Sequence, residues 1–335
     1  MSFTSIGDLS QSLMTTRQNS LLKTQLTRLT QELASGQVAD LSAHLSGNLS
    51  HLSDIEHQIT VNTALANVSK EAGFVTEAMQ TAMETIRDEV STLASAAVLI
   101  NDSAGPQQRA AVTSLAEGVL DTVTSALNIN VAGRPLFAGT DVSGPALAGA
   151  DDILIAARAA ASGVTDPASL NAAMDAFFAP GGAYETLVYT GGTTDMSPFE
   201  LGAGQSIALD LRADSDVFRD ALRDTITLVV AGDAALPLTE GERADLMSNA
   251  GARLFGVEAA VAGAQADLGY AQSRIDAASS RIAAEQTSLG LARNDLLAVD
   301  PFDTATELEN VQFQLEMLYT VTARSARLNL MNFLS

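Results

Sequence analysis

The sequence predicts a mainly α fold: an antiparallel helical bundle or coiled coil built from the N- and C-terminal segments, with a small α+β domain inserted between them. Three observations predict it. Apolar residues recur at alternating three- and four-residue steps along both flanks of the 335-residue chain, the pattern of helices that pack along a seam. Between Gly133 and Leu238 that period is lost, and Gly, Pro and strand-like runs replace it. Aromatic residues make up 4% of the chain and Trp is absent, which suits helices packed through small side chains better than a bulky core.

Taken in order, Ile6, Leu9 and Leu13 begin a stripe, and Leu22, Leu26, Leu29 and Leu33 continue it at +4, +3, +4. Ser35-Gly36 reads as a helix stop. A longer helix is expected over residues 45–100, clearest at Met79, Met83, Ile86, Val90, Leu93 and Ala97. The turn cluster at residues 101–106 reverses the chain into a helix carrying Val112, Leu115, Val119 and Val123. Within the insertion, strands are expected at residues 185–189 and 206–211, and helices at 168–178 and 214–230. The C-terminal flank carries the strongest signal, a bundle seam of Leu254, Val257, Val261, Leu268, Ile275, Ile282, Leu289 and Leu296 interrupted by Glu285. Asp300-Pro301 ends it, and a last helix restarting at residues 304–306 carries Leu308, Val311, Leu315, Leu318, Leu328, Leu330, Phe333 and Leu334. The expected divisions are an N-terminal helix over 1–38, the bundle's N-half over 39–134, the inserted domain over 135–238, the long C-half helix over 239–300 and a C-terminal helix over 301–335. Each terminal segment is one amphipathic helix without a core. It must therefore pair with the other end or with the ends of neighbouring subunits.

The net charge of −22 argues against nucleic acid, whose phosphates it would repel, and against a grip on anionic lipid. The acid is concentrated: residues 141–250 hold seventeen Asp or Glu against five Arg, whereas residues 1–40 are balanced. Neutral ends that associate and an acidic middle that stays in solvent follow from that contrast. With no cysteine, neither a disulfide nor a thiolate site can form. No run approaches the ~20 apolar residues of a membrane span, and residues 1–20 lack the basic and apolar regions of a cleaved signal. The chain is thus expected in the cytosol or exported without a cleaved signal.

No catalytic or cofactor constellation emerges. His44 and His51 lie too far apart along a helix to share a metal, and His51 and His57 occupy different faces; all three read as solvated. The two glycines of Leu201-Gly-Ala-Gly-Gln-Ser206 precede a strand instead of leading from strand to helix, so a tight turn is the better reading than a phosphate loop. Asp141, Asp151 and Asp152 lack calcium-loop spacing. No Gly-x-Ser-x-Gly elbow exists. Asp216 and Asp220 interleave with Arg219 and Arg223 as an exposed helix face, Met79 and Met83 read as core, and Gln11, Ser12, Gln18 and Ser20 face either a channel lumen or bulk solvent.

Several segments resemble the flagellin superfamily and, within it, the hook-associated proteins of type 3 that join hook to filament. Leu29-Thr-Gln-Glu-Leu-Ala-Ser-Gly36 is similar to that family's N-terminal helix closing in a Ser-Gly break. Asn130-Val-Ala-Gly-Arg-Pro-Leu-Phe-Ala-Gly-Thr140 is similar to its junction between inner bundle and outer domain. The stretch from Leu308 to Leu318, followed by Thr322-Ala-Arg-Ser-Ala-Arg-Leu-Asn-Leu-Met-Asn-Phe-Leu334, resembles its C-terminal helix, with an ending closer to junction proteins than to filament flagellins. The resemblance covers roughly residues 1–140 and 240–335; Gln37-Val-Ala-Asp-Leu stands where the family has a basic residue and an Asp-Asp-Pro turn.

The resemblance implies a non-enzymatic structural subunit without cofactors. Its terminal helices would line an axial channel, and its acidic insertion would point outward. Implied partners are copies of itself in a ring, the other junction protein on the hook side, flagellin and a flagellar export chaperone, with no nucleic acid and no membrane. The implied location is the extracellular hook–filament junction. A filament flagellin is the near alternative. A cytosolic coiled-coil signalling or scaffold protein is the distant one, which the Gly/Pro-rich insertion at the hairpin tip disfavours.

Overall fold

The computed structural model describes the backbone of residues 6–334 and the side chains of residues 10–325. Its helices are α1 (Ile6–Ser35), α2 (Leu41–His44), α3 (Ser50–Ala97), α4 (Pro106–Leu127), α5 (Ala150–Ala160), α6 (Pro167–Phe178), α7 (Asp216–Ala231), α8 (Glu240–Leu297) and α9 (Pro301–Leu334). Two short antiparallel ladders accompany them: β1 (Asn130–Val131) with β2 (Arg134–Pro135), and β3 (Phe199–Gly202) with β4 (Gln205–Ile207). The fold is mainly helical with a small inserted strand region, as the sequence predicts.

The chain divides into two compact units. One takes in the described residues up to Thr63 and from Ala284 onward, the other Ala64–Ala283. In the first, α1 packs on α9 around Leu22, Leu29, Val311 and Leu315. The helix stops are explicit there. Gly36 adopts φ +70°, a conformation glycine reaches without strain. Asp300 caps α9 by accepting from the amides of Phe302 (2.8 Å) and Asp303 (3.2 Å), with Pro301 pre-set at the first helical position. That cap is why α9 begins at Pro301, earlier than the expected restart.

In the second unit, α3 and α8 run antiparallel. Gly251 lies against Ala97 and Val98, and the Arg87 guanidinium donates to Gln265 at 3.1 Å. A Cβ at position 251 would sit 2.7 Å from the Val98 nitrogen, so glycine is what permits the close approach. The core runs continuously from Ala72, Met79, Met83 and Ile86 on α3, through Val119 and Val123 on α4, into Phe137, Leu147, Met174, Tyr184 and Phe218 of the insertion.

Four local expectations are corrected. Residues 184–188 form a π-helical turn where a strand is expected at 185–189. Tyr189 N–H bonds the Tyr184 carbonyl at 2.8 Å, so the backbone is satisfied locally, and burial of Tyr184 against Phe178 fixes the turn. The strand expected over 206–211 stops at Ile207, because β3, its ladder partner among the described residues, is four residues long. The long helix expected from residue 45 is broken: Ser46 and Gly47 take φ +51° and +78°, and α3 starts at Ser50. Helix α5, with Asp151 and Asp152 in its first turn, lies in a stretch for which no element is expected.

Candidate assembly surface

The surface is built from the terminal helices of the first unit. Leu22, Leu26 and Leu29 on α1 meet Leu308, Val311, Leu315 and Leu318 on α9, the 3-4 spacing of an antiparallel coiled-coil seam. The ends of the two helices are stitched where both break. Val38 N–H donates to the Leu297 carbonyl at 2.9 Å and Val299 N–H to the Gly36 carbonyl at 3.2 Å. Beneath this stitch Glu32, 3% exposed, accepts from Arg28 at 2.7 Å and from the Ala39 amide at 3.0 Å. The buried carboxylate is thus fully engaged, which is what makes its burial tolerable.

The pair leaves large apolar side chains uncovered on both helices. Leu13 is 64% exposed, and Met14, Leu21 and Leu33 on α1 are exposed with it. On α9, Phe302, Phe313, Met317, Tyr319 and Val321 are all exposed. Of these, Phe313, Met317 and Val321 share one face of α9, and an exposed apolar stripe of this kind marks an interaction surface. The sequence reading placed Leu13 and Leu33 in its single α1 stripe, where they stand exposed, and it missed the exposed apolar residues of α9, although Phe313, Met317 and Val321 repeat at i+4 and signal them. Ile6, Leu9, Leu328, Leu330, Phe333 and Leu334, also assigned to the interface, lie outside the residues whose side chains are described. Gln11, Ser12, Gln18 and Ser20 are exposed.

The seam residues of α8 fall into both units. Leu254, Val257, Val261, Leu268 and Ile275 are buried in the second unit's core and Ile282 is buried too. Leu289 and Leu296, in the first unit, are half-buried.

The stretch Asn130–Thr140 organises the entry to the insertion. Ala132 and Gly133 take φ +53° and +83°, forming the two-residue hairpin turn between β1 and β2. Asn128 brackets the return of the chain, donating to the Leu147 carbonyl at 3.0 Å and accepting from the Leu147 amide at 2.8 Å. Phe137 is buried edge-on to Phe218, with ring centroids 5.4 Å apart. Gly139 has φ +63°, and a Cβ there would collide with the Thr194 carbonyl oxygen.

Charged groups serve architecture. Arg212 makes a bidentate pair with Asp214, 2.8 Å at each oxygen, and also holds Asp195. Arg243, 8% exposed, donates to the carbonyls of Ala231, Asp233 and Leu236 at 2.6–2.7 Å, satisfying the end of α7. Asp224 is buried between Arg253 (2.8 Å) and Arg223 (2.5 Å); burial pushes its carboxyl up, and the two guanidiniums oppose that. Asp216 and Asp220 are exposed, as the sequence reading has them; it missed Asp224 and Arg253, whose pairing spans α7 and α8 and leaves no local spacing to read.

His44, His51 and His57 are exposed, and among the described residues no group of three His, Cys, Asp or Glu could hold a metal. Asp141 accepts from the Ser143 hydroxyl and amide, which hold its carboxyl below the usual range. Residues 202–204 form the tight turn between β3 and β4. Among the described residues no helix is long and apolar enough to cross a membrane.

Comparison with known proteins bears on this arrangement. Residues 257–334, most of α8 and all of α9, match the family described as the bacterial flagellin C-terminal helical region. No curated protein matches the sequence significantly. A solved structure from Vibrio parahaemolyticus, described as a flagellar hook-associated protein, superposes with a TM-score of 0.52 at 12% identity, covering 73% of this chain and 95% of that one. These findings support a flagellar structural role. Residues 257–334 thus have the sequence of a flagellin C-terminal helical region, on a chain that shares its fold with a hook-associated protein.

Proposed function

We propose that this chain is a structural subunit of the bacterial flagellum that joins hook to filament, a hook-associated protein of type 3 without catalytic activity. One observation carries the reading: the flagellin-like segment includes α9, and α9 pairs with α1 while Phe313, Met317 and Val321, repeating at i+4 along α9, stay exposed. A helix pair that leaves such an apolar stripe open is suited to assembly with further copies. In this reading the subunits form a ring between the hook-side junction protein and flagellin, after export with the help of a flagellar chaperone and without a cleaved signal. The acidic residues of the insertion face outward and take no part in binding nucleic acid or membrane.

Deleting the gene tests it. The expected result is cells that keep their hooks, lose their filaments, release flagellin into the medium and do not swim. Filaments of normal length on such cells would end the junction reading. A filament flagellin shares the same C-terminal match, and copy number separates the two: a ring's worth per flagellum for a junction protein, the whole filament length for a flagellin.

A further inference from the structure

Cysteine and Trp are absent from the chain and methionine occurs nine times, so the sulfur is all thioether and methionine is the side chain that a two-electron oxidant attacks first. Met1 and Met331 lie outside the residues whose side chains are described. The other seven fall into two classes. Met79, Met83, Met174, Met196 and Met247 belong to the core of the second unit and are 3% exposed or less. Met14 on α1 and Met317 on α9 belong to the first unit and are 72% and 52% exposed.

That division decides which sulfurs react, because an oxidant in solution must reach the thioether lone pair. Neither exposed methionine belongs to the seam, which closes on Leu22, Leu29, Val311 and Leu315. Met317 instead stands one turn from Phe313 and one turn from Val321, at the middle of the exposed stripe of α9. Oxidation there leaves the buried contacts of both units intact and changes only the surface that a neighbour would cover.

We propose that Met317, and Met14 with it, are sites of sulfoxidation by hydrogen peroxide on the unassembled subunit, and that the sulfoxide at Met317 blocks assembly through α9. The sulfur lone pair attacks one peroxide oxygen and the O–O bond breaks. The departing hydroxide takes the proton from the oxygen now on sulfur and leaves as water; sulfur is oxidised by two electrons and peroxide is reduced by two. An apolar thioether thereby becomes a polar sulfoxide. Covering it with a neighbour's apolar side chains would desolvate its oxygen without supplying a donor, which is unfavourable. The oxidation pattern stands on burial alone, whereas its effect on assembly rests on the flagellar reading above.

Mass-spectrometric peptide mapping of the full purified chain in dilute hydrogen peroxide tests the first half. Met14 and Met317 should each gain one oxygen at least about tenfold faster than the five core methionines, with the thermal melting of the oxidised chain unchanged. Uptake at similar rates across all seven would overturn the assignment. Substitution at position 317 in cells tests the second half. Met317→Gln, which sets a polar amide where the sulfoxide would stand, should lower incorporation into flagella about tenfold, and Met317→Leu should incorporate normally. Normal incorporation of Met317→Gln, or equal failure of Met317→Leu, would overturn the block on assembly while leaving the flagellar reading intact. Absence of the unsubstituted chain from flagella would overturn that reading and the block together, and leave the oxidation pattern standing.

Discussion

At the residue scale, two tyrosines in the insertion tie stability to alkaline pH. Tyr184 is fully buried, and its hydroxyl donates to the Ala213 carbonyl at 2.6 Å. Burial pushes its phenol well above the usual range and raises that of Tyr189 to about 12. The unfolded chain releases these protons near pH ~10, so between about 10 and about 12 the folded state binds more protons than the unfolded one. Stability therefore falls as pH rises through that window and is unaffected by these groups below it. The expected observation is a melting temperature that is flat up to pH ~9 and falls above pH ~10. In Tyr184→Phe the alkaline fall should be shallower, while neutral-pH stability drops by about 1 kcal/mol for the lost hydrogen bond. An alkaline slope unchanged by Tyr184→Phe would contradict this assignment. In the sequence Tyr184 stands just before the strand expected at 185–189, between Gly-Gly-Ala and Glu-Thr, with nothing to mark it as core. Its burial depends on the Phe178 ring and the Ala213 carbonyl, twenty-nine residues away, and no local pattern encodes that.

At the element scale, the α1–α9 pair is held by few side chains. Leu29 is 2% exposed, the most buried residue of the seam. Leu29→Ala should destabilise the pair by about 2–4 kcal/mol, read as loss of amide-exchange protection along α1 and α9 with the α3–α8 core unchanged. Leu13→Ala, at a position 64% exposed, should shift the isolated subunit by less than about 0.5 kcal/mol. Equal effects would mean that the seam is misplaced. The seam was legible in the sequence because Leu22, Leu26 and Leu29 keep 3-4 spacing and so do Leu308, Val311 and Leu315. The break at residues 46–47 was not, since Ser46 in a left-handed conformation is unusual for a residue with a side chain. Helix α5 escaped because Gly149 caps it without a side-chain hydrogen bond, leaving no start signal to read.

At the scale of the whole molecule, the two units differ greatly in how much they bury. The second has a core extending from Ala72 to Ala278, whereas the seam of the first clusters four buried side chains. Local opening free energy follows buried apolar contact. Limited proteolysis of the dilute subunit is therefore expected to cut first within residues 1–63 and 284–335 and to leave a resistant fragment spanning most of 64–283. Full protection of residues 1–35 under those conditions would contradict the ranking. The overall plan was readable because helical period on both flanks and its loss between Gly133 and Leu238 are properties of long stretches. The insertion's internal arrangement was not, because it depends on contacts such as Phe137 with Phe218, made between residues far apart in the chain.

The stitch at Glu32 has a mechanical consequence. Along α1 and α9 a bending load is shared by a continuous ladder of main-chain bonds. At residues 36–38 and 297–299 it meets two such bonds and one carboxylate anchor. Stress concentrates at the section with the fewest bonds, so this joint yields before either rod does. The terminal pair behaves as a stiff lever on a compliant root.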